Sequence, residues 1–420
     1  MEGTFEARGG QRYILAVQHL FAMFGATILV PALTGLNYSV ALITAGLGTL
    51  LFHLITQKKV PVFLGSSFAF IPCIQYVVQN SGVAYAQGGI IIAGLLYALF
   101  AGVVLLIGVG QLKKLFPPVV TGPVIVVIGL TLSPEALRQS AACWPVAIFT
   151  LLVVVSISIF TKGFFKLVPI LIGILYGYIL CVVFDLGGIT NFISETPLVK
   201  IEAFDGITAN PLTWVNAFWK FDGTFFTLPK FSLESVLLIA PVAFVTLMEH
   251  IGDITTNGTV VGKDFFKDPG IHRTLLGDGL ATSLAGLFGG PANTTYSENT
   301  GVLAVTKVYD PSILRVTAVF AVLLGLVRPF GAILSSMPTA VIGGVSILLF
   351  GMIASIGIRT MAESKIDFTH SRNLIVVALI LVVGLGLPDG IAITESFNLS
   401  GLFLAVILGV LANRLLPEGI

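Results

Sequence analysis

The sequence predicts an all-α polytopic membrane protein with 14 transmembrane segments in two inverted seven-span repeats. Two of these, spans 3 and 10, are broken strand–helix spans. Three observations predict this class. Of the 420 residues, 56% are hydrophobic and only 10% charged, whereas soluble proteins carry roughly 25% charged residues. Apolar stretches near the ~20 residues needed to cross the hydrocarbon recur along the whole chain. Threaded this way, the 22 basic residues divide 17 to 5 in favour of the side holding the N-terminus, as the positive-inside bias requires.

Taken in order, the polar start Met1 to Arg12 runs into a first span over 13–35, which serves as the targeting signal. Spans follow over 40–56, 86–109, 117–137, 143–161 and 167–187. In the second half they fall at 231–256, 273–290, 311–331, 333–357, 371–388 and 398–416. Two further apolar stretches, 60–78 and 291–308, are interrupted by Pro, small and polar residues. Counting them as crossings keeps Lys113, Lys114, Lys162 and Lys166 on the cytoplasmic side, with both termini. The protein is thereby expected in the cell (inner) membrane. Segment 188–230 then faces outward, and its aromatics Trp214, Phe218, Trp219 and Phe225 suggest an interfacial piece.

The interrupted stretches carry the functional signal, because lipid tolerates irregular backbone only where protein or a water-filled cavity covers it. One reads V-P-V-F-L-G-S-S-F-A-F from Val60; the other reads G-G-P-A-N-T-T-Y-S-E-N-T-G-V from Gly289. Each begins as a strand-like run and becomes helical, and they lie about 230 positions apart. A second echo relates the nine residues from Phe116 to the nine from Met337, with four matches at an offset of 221. Two seven-span halves follow, and an odd span number makes them inverted. Paired broken helices in such repeats point to a midplane binding site, with helix N-termini aiming partial positive charge at a ligand. The bland alternative is re-entrant packing without a substrate.

Intramembrane acids are functional by default. Glu249 and Asp253 share a helix face in span eight, Asp278 lies in span nine, and Glu298 closes the strand-like part of span ten. His19 lies in span one, either as a relay or as a hydrogen-bonded packing residue. Asp253 could instead form a solvated helix end; Glu234 and His53 are expected at the interface. A carboxylate accepts hydrogen bonds, and its protonated form also donates one. A buried Glu can therefore bind the N–H groups of a neutral planar ligand and couple its proton to transport. No phosphate-binding loop, nucleophile–base order or metal-ligand spacing is present, so neither ATP, a cofactor nor enzymatic chemistry is expected. A net charge of +1 suggests no nucleic-acid partner, and Cys73, Cys143 and Cys181 read as small buried residues.

The run Glu298-Asn299-Thr300-Gly301-Val302-Leu303-Ala304-Val305-Thr306-Lys307 resembles the signature of the nucleobase–ascorbate transporter family, meeting its defined positions Asn299, Gly301, Thr306 and Lys307. Gln18-His19, Gly65-Ser66-Ser67-Phe68 and Glu249-His250-Ile251-Gly252 resemble further blocks of that family, so the likeness covers the chain. It implies a core domain (13–110 and 231–331, spans 1–4 and 8–11) and a gate domain (111–230 and 332–420, spans 5–7 and 12–14). It also implies a homodimer. Glu249 and Glu298 would hydrogen-bond a nucleobase, with Phe68, Tyr296 and Ser297 completing the site. Asp253, His19 and Asp278 are the implied proton-coupling residues.

Glu at the head of the signature implies uracil. Asp253 stands where uracil permeases commonly carry His and, with Asp278, resembles the purine branch. A xanthine or dual uracil–xanthine permease is therefore the alternative. A proton is the expected coupling ion. An anion exchanger on the same general fold is disfavoured, because two carboxylates would repel an anion.

Overall fold

A computed structural model describes residues 9–108, 110, 117–190, 197–205, 207, 214–215, 226–387, 390–394 and 397–417. The chain opens with α1 (Gln11–Thr34) and α2 (Tyr38–Ile55), then a three-residue strand β1 (Leu64–Ser66). A 3-10 turn (Phe68–Phe70) leads into the short α3 (Ile71–Asn80), followed by α4 (Val83–Ile107). Next come α5 (Pro118–Thr131), α6 (Ser133–Ser140), α7 (Trp144–Phe160) and α8 (Pro169–Leu186).

The second half again places a short strand and a ten-residue helix after long helices. It comprises α9 (Leu233–Ile239), α10 (Ala243–Val261), α11 (Ile271–Phe288), β2 (Asn293–Thr295) and α12 (Ser297–Thr306). Then follow α13 (Pro311–Leu326), α14 (Arg328–Ser335), α15 (Thr339–Glu363), α16 (Ser371–Gly386) and α17 (Gly401–Leu415). Among the described residues, seven helical stretches are long and apolar enough to cross a membrane, and four shorter helices are apolar.

Helices of the two halves pair. α4 lies along α11 just as α13 lies along α2, and α2 and α11 meet at the centre. α5 packs on α15, while α7–α8 and α16–α17 form hairpins. Contacts between helices this apolar depend on close backbone approach. At the α4–α11 crossing a Cβ added to Gly279 would fall 2.6 Å from the Gly94 carbonyl oxygen. The two glycines set that helix separation.

The broken spans meet in the middle. β1 and β2 run antiparallel with Leu64 opposite Thr295, Gly65 opposite Thr294 and Ser66 opposite Asn293. Ser67 N donates to Ala292 O (2.8 Å) and Tyr296 N to Phe63 O (3.0 Å), extending the ladder at both ends. Backbone groups that a helix would satisfy internally are here satisfied by side chains. Leu64 N donates to Thr49 Oγ1 (2.9 Å), His53 Nε2 to Val62 O (2.9 Å), and Asn257 Nδ2 to Pro61 O (3.0 Å). Thr282 Oγ1 donates to Asn293 O (2.9 Å), and Asn293 Nδ2 to Thr44 O (3.2 Å).

Several boundaries differ from expectation. The span expected over 117–137 divides into α5 and α6 at Leu132. Span eight is interrupted by a 3-10 turn at Ala240–Val242, where Pro241 removes a donor, and it runs on to Val261. The helix expected over 333–357 starts only at Thr339, because Pro338 caps it and residues through Ser335 belong to α14. His53, expected at an interface, is fully buried because the strand-like segment folds back over it. A hairpin of β3 (Ile391–Thr394) and β4 (Phe397–Leu399) precedes α17.

Asp185 at the end of α8 accepts from Thr190 Oγ1, Leu198 N (3.1 Å) and Val199 N (2.9 Å). Lys200 N then donates to Ser336 O (3.2 Å), between α14 and α15. Trp214 is exposed and Val215 bridges to Val327. Phe218, Trp219 and Phe225 lie outside the described residues.

Candidate functional site

Two elements supply the acids. α10 carries Glu249 and Asp253 one turn apart, and α12 carries Glu298 in its first turn, just after β2. Because α10 continues to Val261, Asp253 lies about two turns inside the helix, away from its end. Glu249, Asp253 and Glu298 are half-buried, and Ser297 is exposed although it follows eight consecutive buried residues. Glu249 lies within electrostatic reach of Asp253, Asp278 and Glu298. The acids expected from the sequence therefore converge beside the strand crossing.

β2 fixes how they are presented. Thr295 Oγ1 donates to Asp253 Oδ2 at 2.7 Å, tying the strand to α10. Tyr296 is buried, and its hydroxyl donates to Ser66 O at 2.9 Å, tying the start of α12 to β1. The N-terminus of α12 has no side-chain cap, so its first amide N–H groups face outward from the helix. Across the crossing, Phe68 begins the 3-10 turn after β1, and its ring meets Phe350 of α15 edge-on at 6.4 Å. Ser67 Oγ beside it is buried without a protein partner.

The remaining predicted residues divide. His19 is fully buried; Asn299 Nδ2 donates to its carbonyl oxygen (3.0 Å) and to its Nδ1 (3.1 Å). That pairing locks α12 to α1. Gly301, two residues further on, is half-buried toward Leu167. Thr306 and Lys307 are remote from the acids. Thr306 Oγ1 donates to Val302 O (2.8 Å), and Lys307 ends α12 in the left-handed region at φ 55°. They terminate the helix.

Asp278 does not stand among the half-buried acids; it is fully buried, with its Oδ2 2.8 Å from His250 Nδ1. His250 and its second partner Thr274 (2.9 Å) were not singled out from sequence. The readable signal was Thr274 and Asp278 four apart, on one face of the helix. Among the described residues no group of His, Cys, Asp and Glu forms a metal site.

An apolar helical bundle whose broken spans cross beside converging acids is the architecture of a multi-pass membrane transporter. The sequence profile of the xanthine/uracil permeases, described as "Permease family", matches residues 10–393. The chain is 41% identical to the probable uracil permease of Pasteurella multocida, over 98% of this chain and 95% of that protein. It is 43% identical to the uracil permease of Bacillus caldolyticus, over 97% and 92%. Its fold resembles the transmembrane domain of a cyanobacterium bicarbonate transporter, BicA, with a TM-score of 0.63 at 15% identity, over 98% of this chain and 99% of that one. The chain belongs to the permease family, and it is a transporter, not an enzyme.

Proposed function

We propose that this permease imports uracil by proton symport, using an elevator-type movement of the core domain against the gate domain. The observation that carries the reading is the convergence of Glu249 and Glu298 beside the β1–β2 crossing, in a chain 43% identical to a uracil permease. Uracil offers two ring N–H donors and two carbonyl acceptors. The carboxyls of Glu249 and Glu298 are suited to the N–H groups. The uncapped amides at the start of α12, around Tyr296 and Ser297, are suited to a carbonyl. Phe68 supplies a flat apolar wall.

The reading includes fourteen spans in two inverted repeats, supported by the repeated element order and paired packing, with core and gate divided as the sequence suggests. The Phe68–Phe350 contact then lies at the sliding boundary. It also includes a homodimer in the inner membrane with cytoplasmic termini. Asp253 and Asp278 are the favoured proton-coupling groups, because His19 Nδ1 already accepts from Asn299. The deciding experiment is uracil binding to Glu298→Gln. Hydrogen bonds to charged groups contribute about 1.5–3 kcal/mol, so affinity should fall about 10- to 100-fold. Unchanged affinity refutes the assignment, and displacement of uracil by excess xanthine would establish the dual specificity.

A further inference from the structure

Asp278, His250 and Thr274 form a continuous chain of fully buried polar side chains between α10 and α11. His250 Nδ1 is 2.8 Å from Asp278 Oδ2, and His250 Nε2 is 2.9 Å from Thr274 Oγ1. Thr274 Oγ1 is also 3.0 Å from the carbonyl oxygen of Ile271, at the start of α11. The single hydroxyl proton of Thr274 therefore has two acceptors within reach.

This geometry accommodates two proton loads. In the first, neutral His250 carries its proton on Nδ1 and donates it to the Asp278 carboxylate, while Thr274 donates to Nε2. In the second, one more proton occupies Nε2. The imidazolium then donates to Asp278 and Thr274 together, and the Thr274 hydroxyl turns to the Ile271 carbonyl. No heavy atom moves, and each donor keeps an acceptor in both loads. The other buried histidines cannot do this. His53 Nε2 faces a carbonyl and must always donate, and a proton on His19 Nδ1 would oppose the Asn299 amide N–H.

We propose that Asp278–His250–Thr274 is a proton-storing relay that gains one proton at His250 Nε2 and releases it from the same atom in each transport cycle. This deepens the reading of the chain as a proton-coupled uracil carrier and rests on it. Loading takes the group from a net charge of −1 to zero. Glu249 and Asp253 on α10 are the acids facing it, with Glu298 of α12 beyond them, and Tyr97 of α4 meets His250 edge-on at 6.5 Å. Neutralising the relay lowers the negative charge beside Glu249 when that carboxyl must hold the base. A cavity of about 610 Å³, lined by Ile254, Thr255, Gly258 and Thr259 of α10 with Lys263 and Phe265, begins one turn from His250.

The test compares Thr274→Val and Thr274→Ser with wild type in proteoliposomes. Uracil exchange needs no net proton movement; accumulation driven by a pH gradient does. Thr274→Val should exchange uracil within about twofold of wild type yet lose gradient-driven accumulation about tenfold or more. Thr274→Ser should restore it with the wild-type pH profile. Wild-type accumulation and pH profile in Thr274→Val overturn the relay. Equal loss of exchange and accumulation overturns it too, since a packing role moves both. Should Thr274→Val not fold, nitrogen-15 NMR of histidine-labelled His370→Gln protein decides. The relay requires a buried neutral imidazole with its proton on Nδ1 that becomes doubly protonated on acidification, and finding only Nε2–H tautomers among the buried histidines overturns it. Failure of wild type to exchange uracil would count against the carrier reading, while the tautomer measurement would still decide the relay.

Discussion

Tyr296 lays its phenol ring directly against the α-carbon of Gly65, so that a Cβ there would lie 2.3 Å from the ring's Cζ. The pair joins the two broken spans at their crossing. Gly65→Ala should therefore force the ring and the Ser66 contact apart. Overpacking of this kind costs about 1–3 kcal/mol. A lower thermal unfolding temperature together with lost uracil binding is expected; wild-type values for both would show that the ring is free to move aside.

Asn299 should behave as a structural tie. Its amide gives both protons to His19, one to the carbonyl and one to Nδ1. Asn299→Ala leaves the buried His19 Nδ1 without a partner, at about 1–3 kcal/mol, and removes the second bond to a carbonyl that α1 already satisfies. Asn299→Asp should be worse, because a carboxylate cannot donate. Chemical denaturation in detergent ranks the three proteins, and an aspartate variant as stable as wild type would contradict the pairing.

Asp185 holds the strap that follows α8. Asp185→Ala removes the acceptor for the Leu198 and Val199 amides. Hydrogen bonds to charged groups contribute about 1.5–3 kcal/mol, so exchange protection of those amides should fall about 10- to 100-fold. Hydrogen exchange of the segment reads this directly, and transport itself should continue.

Asp367, in the exposed turn between α15 and α16, responds to pH. The Thr369 hydroxyl and amide, and then His370, hold its carboxyl below the ordinary value of 3.8. A depressed carboxyl contributes its bonds above the unfolded value and loses them as pH falls through the folded one. Exchange of the Thr369 amide should therefore stay slow through mildly acidic conditions and quicken only below 3.8. Quickening already near neutrality would show that the turn is held by something else.

Much of this architecture was legible because Pro and small residues interrupt two otherwise apolar stretches, marking where helices break. Pro61 and Pro291 stand near the starts of both strand-like segments, and the strands formed where the breaks indicated. The acids were legible for the same reason, as rare charges in an apolar background. The full length of α10 was not. Thr255, Thr256 and Asn257 lower the local hydropathy, yet Asn257 is buried and serves Pro61 O and Thr300 Oγ1. His250 was read only as part of the Glu249-His250-Ile251-Gly252 block, because its partners Thr274 and Asp278 lie on another helix. The hairpin before α17 escaped because its strands are only four and three residues long.

The crossing of β1 and β2 also bears on how the protein is made. Gly65 and its partner Thr294 are separated by 229 positions, so at ordinary elongation rates about 10–50 s pass between their syntheses. Throughout that interval the amides of β1 lack their ladder, and an unpaired backbone group in hydrocarbon costs several kcal/mol. Span 3 must therefore wait in a wet or protein-lined setting while later helices insert. Biogenesis of the first half is completed only by the second, and a chain truncated before Asn293 is a substrate for quality control, not half a carrier.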